Sequence, residues 1–275
     1  MILHCGSFRL DCSRPLVMGI VNVTPDSFSD GGRYMVRDAA LSHAHRLIAE
    51  GADILDIGGE STRPGAAPVS EQEELDRVIP VIEELADAGV PVSVDSFKPA
   101  VMRAALAAGA SMVNDIRALQ EPEALAAVAA SEAAVCLMHM QGQPQTMQQQ
   151  PSYIDVVAEV GDFLADRVSA AQVAGISRER IVVDPGFGFG KTLAHNLTLL
   201  RGVGKLSALG VPVLAGLSRK SMLGALTGRD ADQRQAASVA AALAAVRQGA
   251  HIVRVHDVQA TVDALKVWMA VYGEQ

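Results

Sequence analysis

Eight short apolar runs recur along the chain, at 16–22, 53–58, 91–95, 111–115, 134–139, 181–184, 212–216 and 251–255. Rich in Val, Ile and Leu, they mostly lack the alternation of a half-solvated strand, which is the pattern of parallel strands buried on both faces. Segments of helical periodicity separate them, at about 38–50, 71–88, 99–108, 122–131, 153–174, 195–207 and 233–248, with a last helix after Val258. Ser70 to Glu73 reads as a capping box, Pro99 suits a first helical turn, and Gly51, Gly89, Gly109, Gly175 and Gly249 stand where helices end. Pro80 should kink its helix. Regular β/α alternation eight times over predicts an α/β fold, a (β/α)8 TIM barrel. No Pro/Gly/Ser-rich linker divides the chain, so 1–275 is expected to be a single domain.

Nearly every apolar run stops in polar residues: Asn22, Glu60 to Arg63, Asp95, Asn114 and Asp115, His139, Asp184, Ser218 to Lys220, and Arg254 to Asp257. In such a barrel the strands all end at one mouth, where the chemistry sits. Three connections there, 23–37, 59–69 and 140–152, exceed the usual 2 to 6 residues and are expected to act as lids.

The net charge of −8 excludes a nucleic-acid surface, which needs clustered Lys and Arg. Three cysteines, Cys5, Cys12 and Cys136, lack metal-ligand spacing and fit a reduced, cytoplasmic protein. No apolar stretch reaches the roughly 20 residues of a membrane span. Aromatics are only 4% of the residues, so Phe28, Phe187 and Phe189, set in polar loops, are candidates for stacking on a flat ligand.

Asp184 to Thr192 resembles a phosphate-binding P-loop but fails by one residue, since Pro185 stands where the first glycine belongs. Asp95 and Asp184 bring two carboxylates to one cavity, where each either pairs with a Lys or Arg or accepts adjacent N–H groups of a heterocycle. Lys220, Arg63, Arg254 and His256 converge as cations on the mouth of an acidic protein, which points to a polyanion such as a diphosphate. Arg254 and His256 flank Val255 and so share one side of a strand. The segment Asn22 to Gly32 is dense in hard oxygen atoms. By itself it reads as a glycine-rich surface loop, but opposite those cations it could supply a ligand to Mg²⁺ on phosphates.

At these residues the chain resembles the dihydropteroate synthases over nearly its whole length. The resemblance is carried by Asn22 to Gly32, Asp56 to Pro64, Asn114-Asp115, Met138 to Gly142, Asp184 to Lys191, Ser218 to Ser221 and Arg254 to Asp257. It implies a pterin-binding barrel that joins 6-hydroxymethyl-7,8-dihydropterin diphosphate to 4-aminobenzoate, releasing diphosphate, with Mg²⁺ as cofactor, as a homodimer and as a sulfonamide target. By that resemblance Asp95, Asn114, Asp184, Lys220 and Arg254 would hold the pterin, and Thr62, Pro64, Phe189, Ser218 and Lys220 the aminobenzoate. Asn22, Arg63, Arg254 and His256 would engage the diphosphate, with the metal on Asn22. Phe28 and Asp30 in the first lid, with Arg63 and Lys220, would be the catalytic set. Pterin-binding barrels also serve corrinoid-dependent methyl transfer as binding modules, but this chain lacks a cobalamin-type Asp-x-His-x-x-Gly motif and retains the expected aminobenzoate and diphosphate residues.

Overall fold

The computed structural model describes residues 1–23, 33–61, 67–144 and 146–272. The elements run β1 (Ile2–Cys5), β2 (Phe8–Asp11), β3 (Leu16–Asn22), α1 (Arg33–Ala49), β4 (Ile54–Gly58), α2 (Glu71–Leu85), β5 (Val92–Asp95) and α3 (Pro99–Ala107). They continue as β6 (Met112–Asp115), α4 (Pro122–Ala129), β7 (Ala134–Met138), α5 (Val156–Val173), β8 (Ile181–Asp184), α6 (Leu193–Arg201) and α7 (Val203–Leu206). Last come β9 (Leu214–Ala215), α8 (Ser221–Thr227), α9 (Gln235–Arg247), β10 (Ile252–Val255) and α10 (Val258–Tyr272).

Among the described residues, β3 to β10 form one parallel sheet in the order β8-β7-β6-β5-β4-β3-β10-β9. A parallel bridge between Val183 and Val213, with Val183 N donating to Pro212 O at 3.0 Å, joins its two edges and closes the barrel. All eight expected strands form. The seventh shrinks from 212–216 to Leu214–Ala215, where Pro212 can offer no N–H to a ladder.

Period-two alternation sorts each strand into two columns. Val17, Val21, Leu55, Ile57, Val94, Val113, Val135, Leu137, Val183 and Val253 face outward into the layer shared with the helices. Leu16, Met18, Ile54, Met112, Ala134, Cys136, Val182, Leu214 and Ile252 face inward and pack with Leu3, Cys5 and Cys12. The β1–β2 hairpin, antiparallel with Ile2 opposite Asp11, thus contributes to the apolar interior at the strands' N-terminal end. Its four-residue strands were not foreseen from the sequence, nor was the seven-residue α8.

Helix ends follow local chemistry, with two departures. Ser70 Oγ accepts from Glu73 N at 3.2 Å, but the Glu73 carboxylate turns to Arg77, so the expected box is half-formed. The reciprocal box lies instead at Thr192 and His195, each side chain accepting from the other's backbone N–H. The expected helix 195–207 divides at Gly202, where a Cβ would meet Val157 of α5 at 2.7 Å.

Candidate active site

Toward the mouth the inward columns turn polar. Asp56 and Ser93 face each other in register, as do Asp95 and Asn114, and Met138 and Asp184. Arg254 continues the column of β10 above Ile252. Two inward positions in this layer are glycines. A Cβ at Gly58 would stand 3.8 Å from Asp95 Oδ2 and 3.9 Å from Asn22 Oδ1; one at Gly216 would stand 3.7 Å from Lys220 Nζ and 3.8 Å from Asp184 Oδ2. Glycine at both positions keeps any side chain from standing among the converging polar groups.

Arg254 organises the charges. Its Nε donates to Asp56 Oδ2 at 2.5 Å and its Nη2 to Asp95 Oδ2 at 2.6 Å, while Asn114 Nδ2 donates to the same Asp56 oxygen at 3.1 Å. Burial alone would weaken the guanidinium as a cation, but the two carboxylates overcome it and raise its pKa. Burial pushes Asp95 up to about 7; Arg254 opposes this, and Asp56, Glu74 and Asp115 add to it. Asp56 Oδ1 and Ser93 Oγ are buried and accept from or donate to no described residue. Unsatisfied buried atoms of this kind cost about 1–3 kcal/mol each, so this floor is built for polar partners.

Asp184 accepts from Gly186 N at 2.7 Å, and burial raises its pKa against the pull of Lys220. Lys220, at the start of α8, donates to the Phe187 carbonyl and holds its ammonium 4.7 Å from the Phe189 ring centre. Burial lowers Lys220 to about 8, with Asp184 opposing. Arg219, beside it, takes a left-handed φ of 57°. That strained turn is held by a two-pronged ion pair of Arg219 with Asp257, at 2.6 and 3.1 Å, and by Arg219 N donating to Ser238 Oγ at 2.9 Å. It links the loop after β9 to the end of β10, where Ser218 Oγ accepts from His256 N at 3.2 Å and shares a hydrogen bond with His256 Nδ1 at 2.9 Å. Beside the mouth, a cavity of about 730 Å³ is lined by Asn22, His256, Arg219, His43 and Arg46.

The structure therefore brings Asn22, Asp95, Asn114, Asp184, Ser218, Lys220, Arg254 and His256 to one mouth, with Phe189 beside Lys220. Phe28, Asp30, Thr62, Arg63 and Pro64 lie outside the described residues. Phe187, expected to stack on a ligand, is fully buried in the core between barrel and helices, and only its carbonyl meets the site. Asp115 and His139 occupy outward positions: Asp115 caps the following turn by accepting from Arg117 N and Leu119 N, and His139 packs edge-on against Phe163. Asp56, Ser93 and Lys191 were missed as site or supporting residues. The signal for Asp56 was legible, a carboxylate two residues beyond Ile54 in an otherwise apolar strand.

A model of the family of pterin binding enzymes matches residues 18–256. The dihydropteroate synthase of Escherichia coli K12 is 52% identical over 268 residues, covering 97% of this chain and 95% of that protein. The chain belongs to the dihydropteroate synthase family. Its relative from Neisseria meningitidis serogroup C is 54% identical over 274 residues, with 98% and 97% covered. Among solved structures, a Xanthomonas albilineans dihydropteroate synthase with 4-aminobenzoic acid superposes with a TM-score of 0.94 at 58% identity, covering 100% of this chain and 99% of that one. Another from the same organism, in complex with 7,8-dihydropteroate, gives 0.91 at 55% identity, with both chains fully covered.

Among the described residues no group of three or more His, Cys, Asp or Glu could hold an ion. Asn22 offers one hard oxygen at the mouth. That single donor fits a hydrated divalent cation arriving with a ligand's phosphates, which needs few protein ligands.

Proposed function

We propose that this protein is a transferase that joins 6-hydroxymethyl-7,8-dihydropterin diphosphate to 4-aminobenzoate, giving 7,8-dihydropteroate and diphosphate. The observation that carries the reading is the convergence of Asp95, Asp184 and Lys220 beside Gly58 and Gly216, with Asn114 paired in register with Asp95. A pterin's amino-pyrimidine edge presents adjacent N–H donors, which buried carboxylates and an amide oxygen accept. Arg254, whose Cβ lies 4.0 Å from where a Cβ at Gly216 would stand, would stack on the ring.

The reaction breaks the bond from the pterin methylene carbon to the diphosphate oxygen, whose electron pair leaves with the diphosphate. The aminobenzoate nitrogen forms the new bond to that carbon and gives up one proton to water. His256, Asn22, Arg63 and Arg254 are the groups suited to the leaving charge. Bound beside the diphosphate and held by Asn22, Mg²⁺ would supply further neutralisation of that charge. Lys220 and Ser218 would orient the aminobenzoate against the Phe189 wall, with Thr62 and Pro64 completing its site. The electron-rich pterin would spread the positive charge left on its methylene, so displacement is largely dissociative. Phe28 and Asp30 in the first lid would exclude water from that carbon. Asp30→Ala should then lower turnover while the pterin alone still binds.

A homodimer is supported by Val267, Val271 and Tyr272, which leave an apolar surface exposed on α10. No described helix is long and apolar enough to cross a membrane, and a cytoplasmic location accords with three free cysteines.

The test is to mix protein, Mg²⁺, dihydropterin diphosphate and 4-aminobenzoate and follow diphosphate and dihydropteroate together. Equal amounts of both support the reading; pterin binding with neither product overturns it.

A further inference from the structure

Lys191 ends the motif that resembles a P-loop, yet its ammonium faces no solvent. It is buried at 3% exposure, and its Nζ donates to the carbonyls of Gly186 and Phe189 at 3.0 Å each and of His139 at 3.4 Å, and to His139 Nδ1 at 3.0 Å. The last contact makes Nδ1 an acceptor, which leaves the ring proton on Nε2. Its surroundings are close-packed: a Cβ at Gly186 would collide with the His139 carbonyl, and one at Gly190 with that of Gln141. The loop after β8 thus lies flush on the loop after β7, and the ammonium occupies the junction.

The same turn is tied from both sides. Asn196 accepts from Gly188 N at 2.8 Å and donates to the carbonyls of Lys191 and Thr192, and Tyr153 Oη donates to Gly190 O at 2.9 Å. On its opposite face the turn presents two things to the mouth: the Phe187 carbonyl that receives Lys220, and the Phe189 ring beside the Lys220 ammonium.

We propose that Lys191 is a positioning residue for the aminobenzoate site, its ammonium fixing the Gly186–Lys191 turn so that the Phe187 carbonyl and the Phe189 ring place Lys220. This rests on the function proposed above. Burial pulls Lys191 down to about 7, with Asp184 opposing and Lys220 adding, while the three carbonyl acceptors favour the charged ammonium. The pterin's acceptors would be Asp95, Asn114 and Asp184, none of them hydrogen-bonded to Lys191, although Asp184 and Lys191 attract each other through space.

The experiment compares wild type, Lys191→Met and Tyr153→Phe. For Lys191→Met the KM for 4-aminobenzoate should rise on the order of tenfold, with kcat held within about twofold and the dissociation constant of dihydropterin diphosphate rising by less, since Lys220 serves the pterin too whereas the Phe189 wall does not. Tyr153→Phe should shift the same KM in the same direction by less. A pterin dissociation constant rising in step with that KM, or an unmoved KM in folded Lys191→Met, overturns the proposal. If Lys191→Met does not fold, an unmoved KM in Tyr153→Phe overturns it. Wild type without turnover overturns the functional reading and this inference together, whereas an active wild type without the split overturns this inference alone.

Discussion

Arg254 Nη2 donates to Asp95 Oδ2 at 2.6 Å, tying β10 to β5 across the mouth. Any ligand that offers N–H groups to Asp95 shares that carboxylate with a guanidinium already in place. The pair neutralises charge where the barrel interior has been emptied of apolar side chains, and its loss has consequences for stability and for binding alike.

Arg254→Met leaves Asp56 and Asp95 buried without their cation, a change that costs about 3–5 kcal/mol. Asp95 stands at about 7 in the folded protein, above the ordinary 3.8. A carboxyl raised in this way contributes stability below its unfolded value and loses it as pH rises through its folded one. Removing the arginine raises it further, so denaturant unfolding should show a smaller deficit at pH 5 than at pH 8. Equal deficits at both would contradict the pairing.

Asp95→Asn keeps the shape and removes the charge. Calorimetric titration with the pterin should show affinity reduced roughly 10- to 100-fold, the worth of a charge-assisted hydrogen bond. Wild-type affinity should itself fall as pH drops below about 7, where Asp95 takes up its proton. The variant should lack that dependence.

In the proposed function Lys220 would serve both halves of the site. Its ammonium, lowered to about 8 by burial, loses its charge as pH rises through that value. The affinity for 4-aminobenzoate, a carboxylate, should decline above pH 8 in wild type. Lys220→Ala should weaken pterin and aminobenzoate binding by about tenfold each and flatten the decline; unchanged affinity for both would refute the shared role.

Phe187 and Phe189 lie two residues apart and should behave oppositely. Phe187→Ala empties a fully buried ring position and should cost about 3–5 kcal/mol of stability. Phe189→Ala should leave the melting transition within a few degrees, as expected outside the core, while raising the KM for aminobenzoate. Thermal unfolding and kinetics on both variants separate the two roles.

Chelation should distinguish the pterin from its phosphates. With Asn22 as the described hard-oxygen donor, EDTA should suppress turnover while a pterin lacking the diphosphate binds as before. Loss of binding by that compound would place the cation at the heterocycle instead.

Much of the site could be read before any coordinates. Polar residues at the ends of apolar runs named Asn22, Asp95, Asp184, Lys220 and Arg254, because buried parallel strands must carry their polar groups at their ends. The same reading treated Asn114 and Asp115 as equals and counted His139 on the rim. Strands buried on both faces are apolar in both columns, so the pattern of residues gives no clue to which column faces inward. Phe187 misled for a related reason: its polar neighbours marked a loop, but not that the loop folds its ring into the layer between barrel and helices.

What the sequence by itself determined is the order of strands and helices and the set of groups gathered at one mouth. Strands that all run parallel share one C-terminal end, so the polar residues that follow each run gather there. Only the tertiary structure decided which groups meet. Arg254 finds Asp56 and Asp95 from 198 and 159 residues away, and Lys191 closes a junction 52 residues from His139. Those meetings depend on strand stagger around a closed barrel and on ion pairing through space, and neither is written in the periodicity of a chain.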